Sequence, residues 1–260
     1  MKTRWFICVL CITVLIALFL VNKQHCDIEN QNLMFNEPNS DTLNFIPDTL
    51  NYKSETQNPK SELRHLVNIL DIDNSIFVDL KYATTDNFTG MALYDDFDGA
   101  YLQPDVAQML SEAHRYLKSL YPGLRLLVYD AVRPLSVQRT MWECVKNTPY
   151  RRYVAHPDRF SLHNYGAAVD LTIADSLGQP LDMGTPFDYF GRTAGITDEE
   201  ELIRQGILNR QQVQNRQLLR QVMRHAGFRS ISGEWWHFNA CSLQEAKQRY
   251  KLIENCCKKL

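Results

Sequence analysis

The sequence has no excess of charge of either sign, since 28 lysines and arginines face 30 aspartates and glutamates, a formal net charge of −2. A nucleic-acid-binding protein normally carries a concentrated basic surface, so this balance argues against that class. Seven cysteines in 260 residues are too few for a small disulfide-built scaffold, and no internal repeat is present. With 45% apolar and 22% charged residues, the composition is typical of one ordinary globular domain.

Long apolar runs are also missing, except at the N terminus. Lys2 and Arg4 precede a run without charged residues from Trp5 to Val21. Its roughly 17 residues lie at the short end of the about 20 that cross a bilayer. Positive charge before such a run predicts a secretory signal peptide or an uncleaved signal-anchor over residues 1–26. In both cases we expect the rest of the chain to be exported, periplasmic or anchored to the outer face of the inner membrane.

The segment that follows the apolar run is polar. Residues 27–60 are rich in Asn, Asp, Ser, Thr and Pro and contain only scattered large apolar side chains. Such a segment cannot bury much apolar surface, so it is predicted to be a poorly ordered tether. The folded domain is therefore expected to span residues 61–260.

Apolar patterning within that domain predicts short strands mixed with helices. Helical periodicity, with proline or glycine at the boundaries, predicts helices over residues 103–120, 135–144 and 208–225. Runs of β-branched or alternating apolar residues predict strands over residues 76–82, 124–129, 167–173, 228–231 and 235–239. Because this order shows no regular βα alternation, the expected fold class is α+β, with a mainly antiparallel central sheet and flanking helices.

Two short segments carry the residue types of a metal site. One has the sequence S-L-H-N-Y-G-A-A-V-D and contains His163 and Asp170; the other, G-E-W-W-H, contains Glu234 and His237. Imidazole and carboxylate are ligands that zinc prefers, and a catalytic zinc keeps three protein ligands and a fourth position open to water. His163, Asp170 and His237 are the candidate ligands, which leaves Glu234 as the candidate general base on that water.

The spacing of these residues sets two structural requirements. Gly166 and the β-branched run after it oppose a helix between His163 and Asp170, so a loop that leads into a strand is expected. An ideal strand would point Glu234 and His237 to opposite faces, so Glu234 must lie in the turn after the preceding glycine or at a bulge. Taken alone, each residue also has an ordinary interpretation, a packed histidine or a turn carboxylate, which spacing does not exclude.

Several motifs of the domain resemble one enzyme family. S-x-H-x-x-G-x-A-x-D followed by E-W-W-H is similar to the zinc D-alanyl-D-alanine dipeptidases of the VanX type, which form a wider group with D,D-carboxypeptidases and the hedgehog signalling domain. Other segments agree in the same order: D-L-K-Y-A-T from Asp79, D-N-F-T-G from Asp86, D-A-V-R-P from Asp130, Met183-Gly184 with Phe187-Asp188, and Gly227-Phe228. The resemblance covers residues 78–239, nearly the whole folded domain.

This resemblance implies a single zinc metallopeptidase domain that binds one Zn²⁺ per chain. Catalytic roles are implied for Glu234, the base, and for Arg133, which steadies the scissile carbonyl and its oxyanion. Substrate contacts are implied for Ser161 and Asp188, which hold the two ends of a dipeptide, and for Tyr82, which lines the same pocket. The implied metal ligands are His163, Asp170 and His237.

The reaction implied by the resemblance is hydrolysis of the D-Ala-D-Ala dipeptide, a small molecule of peptidoglycan synthesis or breakdown. Two alternatives stay open: a D,D-carboxypeptidase that trims longer wall stem peptides, and a hedgehog-like module that holds zinc without hydrolysis. The presence of both Glu234 and Arg133 argues against the module, because a binding role needs neither. No nucleic acid partner is expected, membrane contact is expected only through the N-terminal segment if this is not cleaved, and the sequence predicts no oligomeric state.

The histidines outside the two segments lack companion ligands at a useful spacing. His225 precedes a predicted helix end, where a cation interacts favourably with the helix dipole. The others are expected at the surface: His25, His65, His114 and His156.

Overall fold

The structure, a computed structural model, describes residues 63–94 and 99–255. The predicted signal or anchor and the predicted tether lie outside these residues, so both stay predictions. Within the described part of the chain, no helix is long and apolar enough to cross a membrane.

The described chain alternates short strands, helices and 3₁₀ turns. Its strands are β1 (Val67–Asn68), β2 (Phe77–Val78), β3 (Tyr101–Leu102), β4 (Arg125–Asp130), β5 (Ala168–Ala174), β6 (Arg229–Ser230) and β7 (His237–Asn239). Its α-helices are α1 (Ile69–Ile72), α2 (Pro104–Leu120), α3 (Leu135–Val145), α4 (Glu199–Arg204), α5 (Arg210–His225) and α6 (Leu243–Arg249). Its 3₁₀ helices are Lys81–Ala83, Pro149–Tyr153, Pro157–Arg159, Leu162–Tyr165 and Arg192–Ala194.

Five of the strands form the central sheet, in the order β2-β4-β5-β7-β6. β2 runs parallel to β4, whereas the pairs β4-β5, β5-β7 and β6-β7 are antiparallel. β1 and β3 form a separate antiparallel pair. The predicted α+β class with a mainly antiparallel sheet is confirmed.

One face of the sheet packs against α2 and α5. Pro104 occupies the start of α2, where its missing N–H costs nothing, and an Asn209–Gln212 capping box begins α5. Apolar residues from both helices and from β4 and β5 form one buried cluster, which includes Leu110, Leu117, Leu219, Val222, Leu126, Val128, Leu171 and Ile173. Because side chains alternate along a strand, Asp170 and Thr172 of β5 point to the opposite face, which also carries the buried side chains of Leu127 and Tyr129 on β4.

The long elements agree with the sequence predictions, and the short strands differ from them. The predicted strand over residues 76–82 pairs only at Phe77–Val78, because the chain then leaves the sheet and takes Tyr82 into a second apolar cluster. The predicted strand over 235–239 begins only at His237. Trp235 and Trp236 are each 2% exposed, and a bend buries both, whereas a strand would point them to opposite faces.

The prediction that His114 lies at the surface is wrong. Its side chain is fully buried on α2, and Nδ1 lies 3.1 Å from Oδ2 of Asp73, just after α1. Burial lowers the pKa of His114 although Asp73 opposes the shift. The helical pattern of α2 places residue 114 on its buried face, next to Leu110 and Leu117. The surface prediction rested on the lack of metal-ligand spacing alone and took no account of this pattern.

We expect Leu219→Ala on α5 to lower the free energy of unfolding by about 2–5 kcal/mol, because it removes a fully buried side chain and leaves a cavity. Leu177→Ala is the matched control, since Leu177 is 83% exposed and its truncation should change stability by at most about 0.5 kcal/mol. Urea unfolding followed by circular dichroism measures both. Equal midpoints for the two variants would contradict the assignment of this core.

Candidate active site

All eight residues singled out from the sequence line one cavity of about 260 Å³. They are Tyr82, Arg133, Ser161, His163, Asp170, Asp188, Glu234 and His237. Five separate stretches of chain contribute them, from residue 82 to residue 237. The fold therefore brings the whole predicted set together, while the role of each residue stays a prediction.

The sheet and one tight turn position the three candidate metal ligands. Asp170 on β5 and His237 on β7 are direct partners across an antiparallel pair. His163 lies in the 3₁₀ helix Leu162–Tyr165, whose start is fixed by a capping box between Ser161 and Asn164. Gly166 then turns the chain into β5 with φ +63, and a Cβ there would lie 3.3 Å from a backbone nitrogen of the neighbouring segment. The predicted loop into a strand is confirmed.

The three candidate ligands present one atom each to a common point. Nε2 of His163 lies 3.2 Å from Nδ1 of His237 and 3.3 Å from Oδ1 of Asp170, and the last two atoms are 2.9 Å apart. Zinc bonds of ~2.0–2.1 Å at tetrahedral angles separate neighbouring ligand atoms by ~3.3 Å. The three separations are therefore close to the edges of a tetrahedron around one zinc ion.

Each candidate ligand makes a further hydrogen bond on the side away from the common point. Nδ1 of His163 donates to the carbonyl of Ala131 at 2.6 Å, and Nε2 of His237 donates to Oδ1 of Asn239 at 2.8 Å. The free oxygen of Asp170, Oδ2, accepts from Arg133 at 3.3 Å. In their neutral forms, both imidazoles therefore turn an unprotonated nitrogen towards the common point.

Three acceptor atoms at such distances need a positive charge between them. Although burial opposes ionisation, the imidazoles of His163 and His237 hold the pKa of Asp170 well below its usual range, so its carboxylate is charged. Two unprotonated nitrogens and a carboxylate are a donor set that suits zinc. Among the described residues, this is the one cluster of three or more such side chains that could hold a metal ion.

Arg133 is buried in a network of polar partners. Its Nε–H donates to Oδ2 of Asp130 at 2.9 Å, Nη2 contacts the same oxygen at 2.7 Å, and Nη1 donates to Gln138 at 3.2 Å. Asp130 in turn accepts from the Tyr94 hydroxyl at 2.6 Å. Burial opposes the charge of Arg133, but the carboxylates of Asp130 and Asp170 raise its pKa further, so it is a permanent cation.

Glu234 meets the structural requirement set by its spacing from His237. It lies in the bend that precedes β7, outside the strand, and both side chains line the cavity. Burial raises the pKa of Glu234 to about 7, although the neighbouring His237 opposes the shift. A carboxyl group with this pKa can both accept and return a proton near neutral pH.

Asp188 and Tyr82 form a second polar pair in the cavity. The Tyr82 hydroxyl contacts both carboxylate oxygens of Asp188, at 2.9 and 3.1 Å, and the backbone N–H of Phe88 donates to one of them at 3.4 Å. Asp188 adopts φ 60, a left-handed conformation that is uncommon for a residue other than glycine and is found at functional sites. Burial raises its pKa to about 8, so an approaching cation would favour its ionised form.

Comparison with known proteins places the chain in one enzyme family. The family model described as D-ala-D-ala dipeptidase, peptidase M15, matches residues 62–254. The chain belongs to this family. The D-alanyl-D-alanine dipeptidase of Escherichia coli K12 is 34% identical over 173 residues, which cover 66% of this chain and 83% of that protein. The enzyme of the same name from Synechocystis is 31% identical over 168 residues, or 53% and 68% of the two chains.

A crystal structure is also similar at a low level. It is that of a mutant vancomycin resistance D,D-pentapeptidase, VanY, in complex with Zn(II), with 13% identity and a TM-score of 0.34 over 58% of this chain and 79% of that one. The family match and the curated relatives confirm the resemblance seen in the motifs, and they identify the chain as a dipeptidase enzyme.

No sequence motif singled out the residues that form the supporting hydrogen bonds to these groups. Asn239, Asp130 and Gln138 were not assigned a role, although Asn239 lies two residues after His237 and therefore on the same face of β7. Arg152 also lines the cavity and was not identified. An i, i+2 acceptor on the strand of a candidate histidine ligand is a signal that could have revealed Asn239.

We expect Asn239→Ala to weaken zinc binding about 10- to 100-fold, because the orienting acceptor of His237 is lost. Asn239→Asp keeps an acceptor oxygen at the same place and should bind zinc at least as tightly as the wild type. Competition with a chromophoric chelator measures both affinities. Wild-type zinc affinity in Asn239→Ala would contradict the orienting role.

Proposed function

We propose that this chain is a zinc dipeptidase that hydrolyses D-Ala-D-Ala, with one Zn²⁺ held by His163, Asp170 and His237 and a water activated by Glu234. The observation that supports it most directly is the convergence of three acceptor atoms, each with its own second hydrogen bond. The cavity beside them is small and enclosed by both acidic and basic side chains, as a zwitterionic dipeptide requires.

Glu234 carries the proton transfers of the proposed reaction. A zinc ion held by the three candidate ligands would lower the pKa of a bound water to ~7, which would make a nucleophile available at neutral pH. Glu234 accepts the proton that this water loses and later gives a proton to the departing amine. Its raised pKa of about 7 suits both steps, because neither the acid nor the base form is strongly disfavoured at neutral pH.

Arg133 is suited to the charge that develops on the carbonyl oxygen. An arginine has five N–H donors. The Nε–H, one N–H of Nη2 and one N–H of Nη1 donate to Asp130, Asp170 and Gln138. The other N–H groups of Nη1 and Nη2 remain for the substrate, from a guanidinium that is fixed in place before the reaction begins.

Asp188 supports a free dipeptide as the substrate. Its carboxylate lies inside the cavity next to Tyr82 and can pair with an ammonium group, which a dipeptide carries at its N terminus. Ser161, the residue predicted to hold the other end of the dipeptide, also lines the cavity. Its Oγ accepts a hydrogen bond from the backbone N–H of His163, so the hydroxyl hydrogen is available to a substrate.

The second candidate function is that of a D,D-carboxypeptidase. Such an enzyme must leave the N-terminal side of its substrate free, because the stem peptide continues there. A buried carboxyl group with a raised pKa has no partner in an internal peptide bond, whereas the ammonium of a dipeptide supplies one. The position of Asp188 therefore favours the dipeptidase. The hedgehog-like module, the third alternative, leaves the arrangement of Glu234 and Arg133 without a purpose.

The location of the enzyme is also part of the proposal. The apolar run after Lys2 and Arg4 supports export, either to the periplasm or to the outer face of the inner membrane as an anchored protein. D-Ala-D-Ala outside the cytoplasm would arise from peptidoglycan, so an exported dipeptidase would meet its substrate there.

We expect Glu234→Gln to keep zinc but to lower kcat about 10²- to 10⁴-fold, because the amide cannot accept the proton from water. Glu200→Gln removes an exposed carboxylate from the same chain and serves as the control for folding and purity. D-alanine release and zinc content are measured on the same preparations. Turnover of Glu234→Gln near the wild-type rate would refute its role as the base.

We expect the zinc-loaded chain to release D-alanine from D-Ala-D-Ala, to lose this activity on treatment with a chelator, and to recover it when Zn²⁺ is added back. A stem pentapeptide ending in D-Ala-D-Ala should be cleaved at least about 100-fold less efficiently, because its N-terminal side cannot present an ammonium to Asp188. Cleavage of the pentapeptide without turnover of the dipeptide would reject the dipeptidase and favour the carboxypeptidase.

A further inference from the structure

Both acidic and basic side chains line the cavity. Asp188 and Glu234 are acidic and lie in buried surroundings, and the third carboxylate, Asp170, belongs to the metal cluster. The cations that line the cavity are Arg133 and Arg152, besides the two histidines. A zwitterionic dipeptide brings an ammonium, a carbonyl and a carboxylate, and each of these needs a partner in a site that excludes water.

Arg133 cannot serve the substrate's carboxylate. Each of its three nitrogens already donates to a protein side chain, Asp130, Gln138 or Asp170, whereas a carboxylate is bound best by two parallel N–H groups of one free fork. Its charge is already balanced by the two carboxylates at its own side chain. Because Arg133 is assigned to the carbonyl oxygen, the negative end of the dipeptide still needs a cation.

Arg152 is a cation at this cavity without a carboxylate partner. Within residues 63–94 and 99–255, it forms no ion pair, and its side chain contacts Tyr153: Nη2 donates to the hydroxyl at 3.1 Å, and the guanidinium lies 4.9 Å from the ring centre. Tyr153 stacks on Phe190, with ring centres 5.0 Å apart and planes 3° apart. Both aromatic side chains line the cavity, so Arg152 lies at its rim on an ordered aromatic support.

We propose that Arg152 binds the C-terminal carboxylate of the substrate and selects peptides that end in a free acid. This inference rests on the proposed function, because it takes a peptide cut at its last bond as the substrate. The guanidinium supplies the two parallel donors that a carboxylate requires, and Tyr153 keeps the fork in one orientation. The Ser161 hydroxyl also lines the cavity and can add one hydrogen bond, but it supplies no charge.

A comparison of an acid and an amide substrate tests this role. For the zinc-loaded full chain, kcat and KM are measured with D-Ala-D-Ala and with its C-terminal amide, which lacks the negative charge. Arg152→Gln should raise KM for the acid about tenfold, which corresponds to ~1.4 kcal/mol, with little change in kcat. KM for the amide should stay the same, so that the preference for the acid disappears. Arg152→Lys should retain part of the preference, since it keeps the charge but not the fork.

Arg151→Gln is the matched control. Arg151 is the adjacent arginine in the same 3₁₀ helix, is exposed, and does not line the cavity. Its substitution removes the same charge from the protein, so a long-range electrostatic effect would appear in both variants and a direct contact only in Arg152→Gln. Equal changes in the two variants, or an unchanged preference for the acid in Arg152→Gln, would overturn the proposal.

Binding measurements separate this inference from the proposed function. Calorimetry with the zinc-loaded Glu234→Gln chain gives Kd for the acid and the amide in the absence of turnover, with and without Arg152→Gln. If the wild type releases no D-alanine but the acid binds more tightly than the amide through Arg152, the proposed reaction fails and the carboxylate site stands. If neither peptide binds, or both bind equally, the carboxylate site is refuted.

Discussion

The structure of the site depends on three acceptor atoms that are held about one ligand edge apart. Nε2 of His163, Nδ1 of His237 and Oδ1 of Asp170 repel one another unless a positive charge lies between them. The protein holds them together with three hydrogen bonds made on their far sides, by the carbonyl of Ala131, by Asn239 and by Arg133. Much of the free energy that holds these residues in register comes from elsewhere in the fold.

The source of that free energy is the other face of the sheet. β4 and β5 bury Leu126, Val128, Leu171 and Ile173 against α2 and α5, and each such side chain contributes roughly 1.5–3 kcal/mol. Because antiparallel pairing fixes the register of the strands, Asp170 lies opposite Asp130 on β4 and opposite His237 on β7. A slip of one residue in either pairing would exchange the two faces and remove Asp170 from the site. The packing of the helix-covered face therefore fixes the position of the site on the opposite face.

The sequence predicts those parts of the molecule that local patterns determine. The helices α2 and α5 follow from apolar periodicity and end signals, and the family motifs mark the eight predicted site residues, all of which line the cavity. Local patterns do not reveal where a chain leaves the sheet: Tyr82 ends a run typical of a strand, yet it turns inwards because Asp188, more than a hundred residues later, accepts its hydroxyl. His114 and Arg152 were missed for the same reason, since burial and cavity position depend on contacts distant in sequence.

The acidic groups of the cavity show why its enclosure and its chemistry are linked. Burial raises the pKa of Glu234 to about 7 and that of Asp188 to about 8, so both carboxyl groups can lose their charge when nothing positive is near. A cation that approaches either group favours its ionised form. Arg133 differs, because the carboxylates of Asp130 and Asp170 keep it charged whether the cavity is empty or filled. The cavity therefore combines two arginines, Arg133 and Arg152, with two carboxyl groups whose charge depends on what binds beside them, a combination that suits a ligand with a positively charged group.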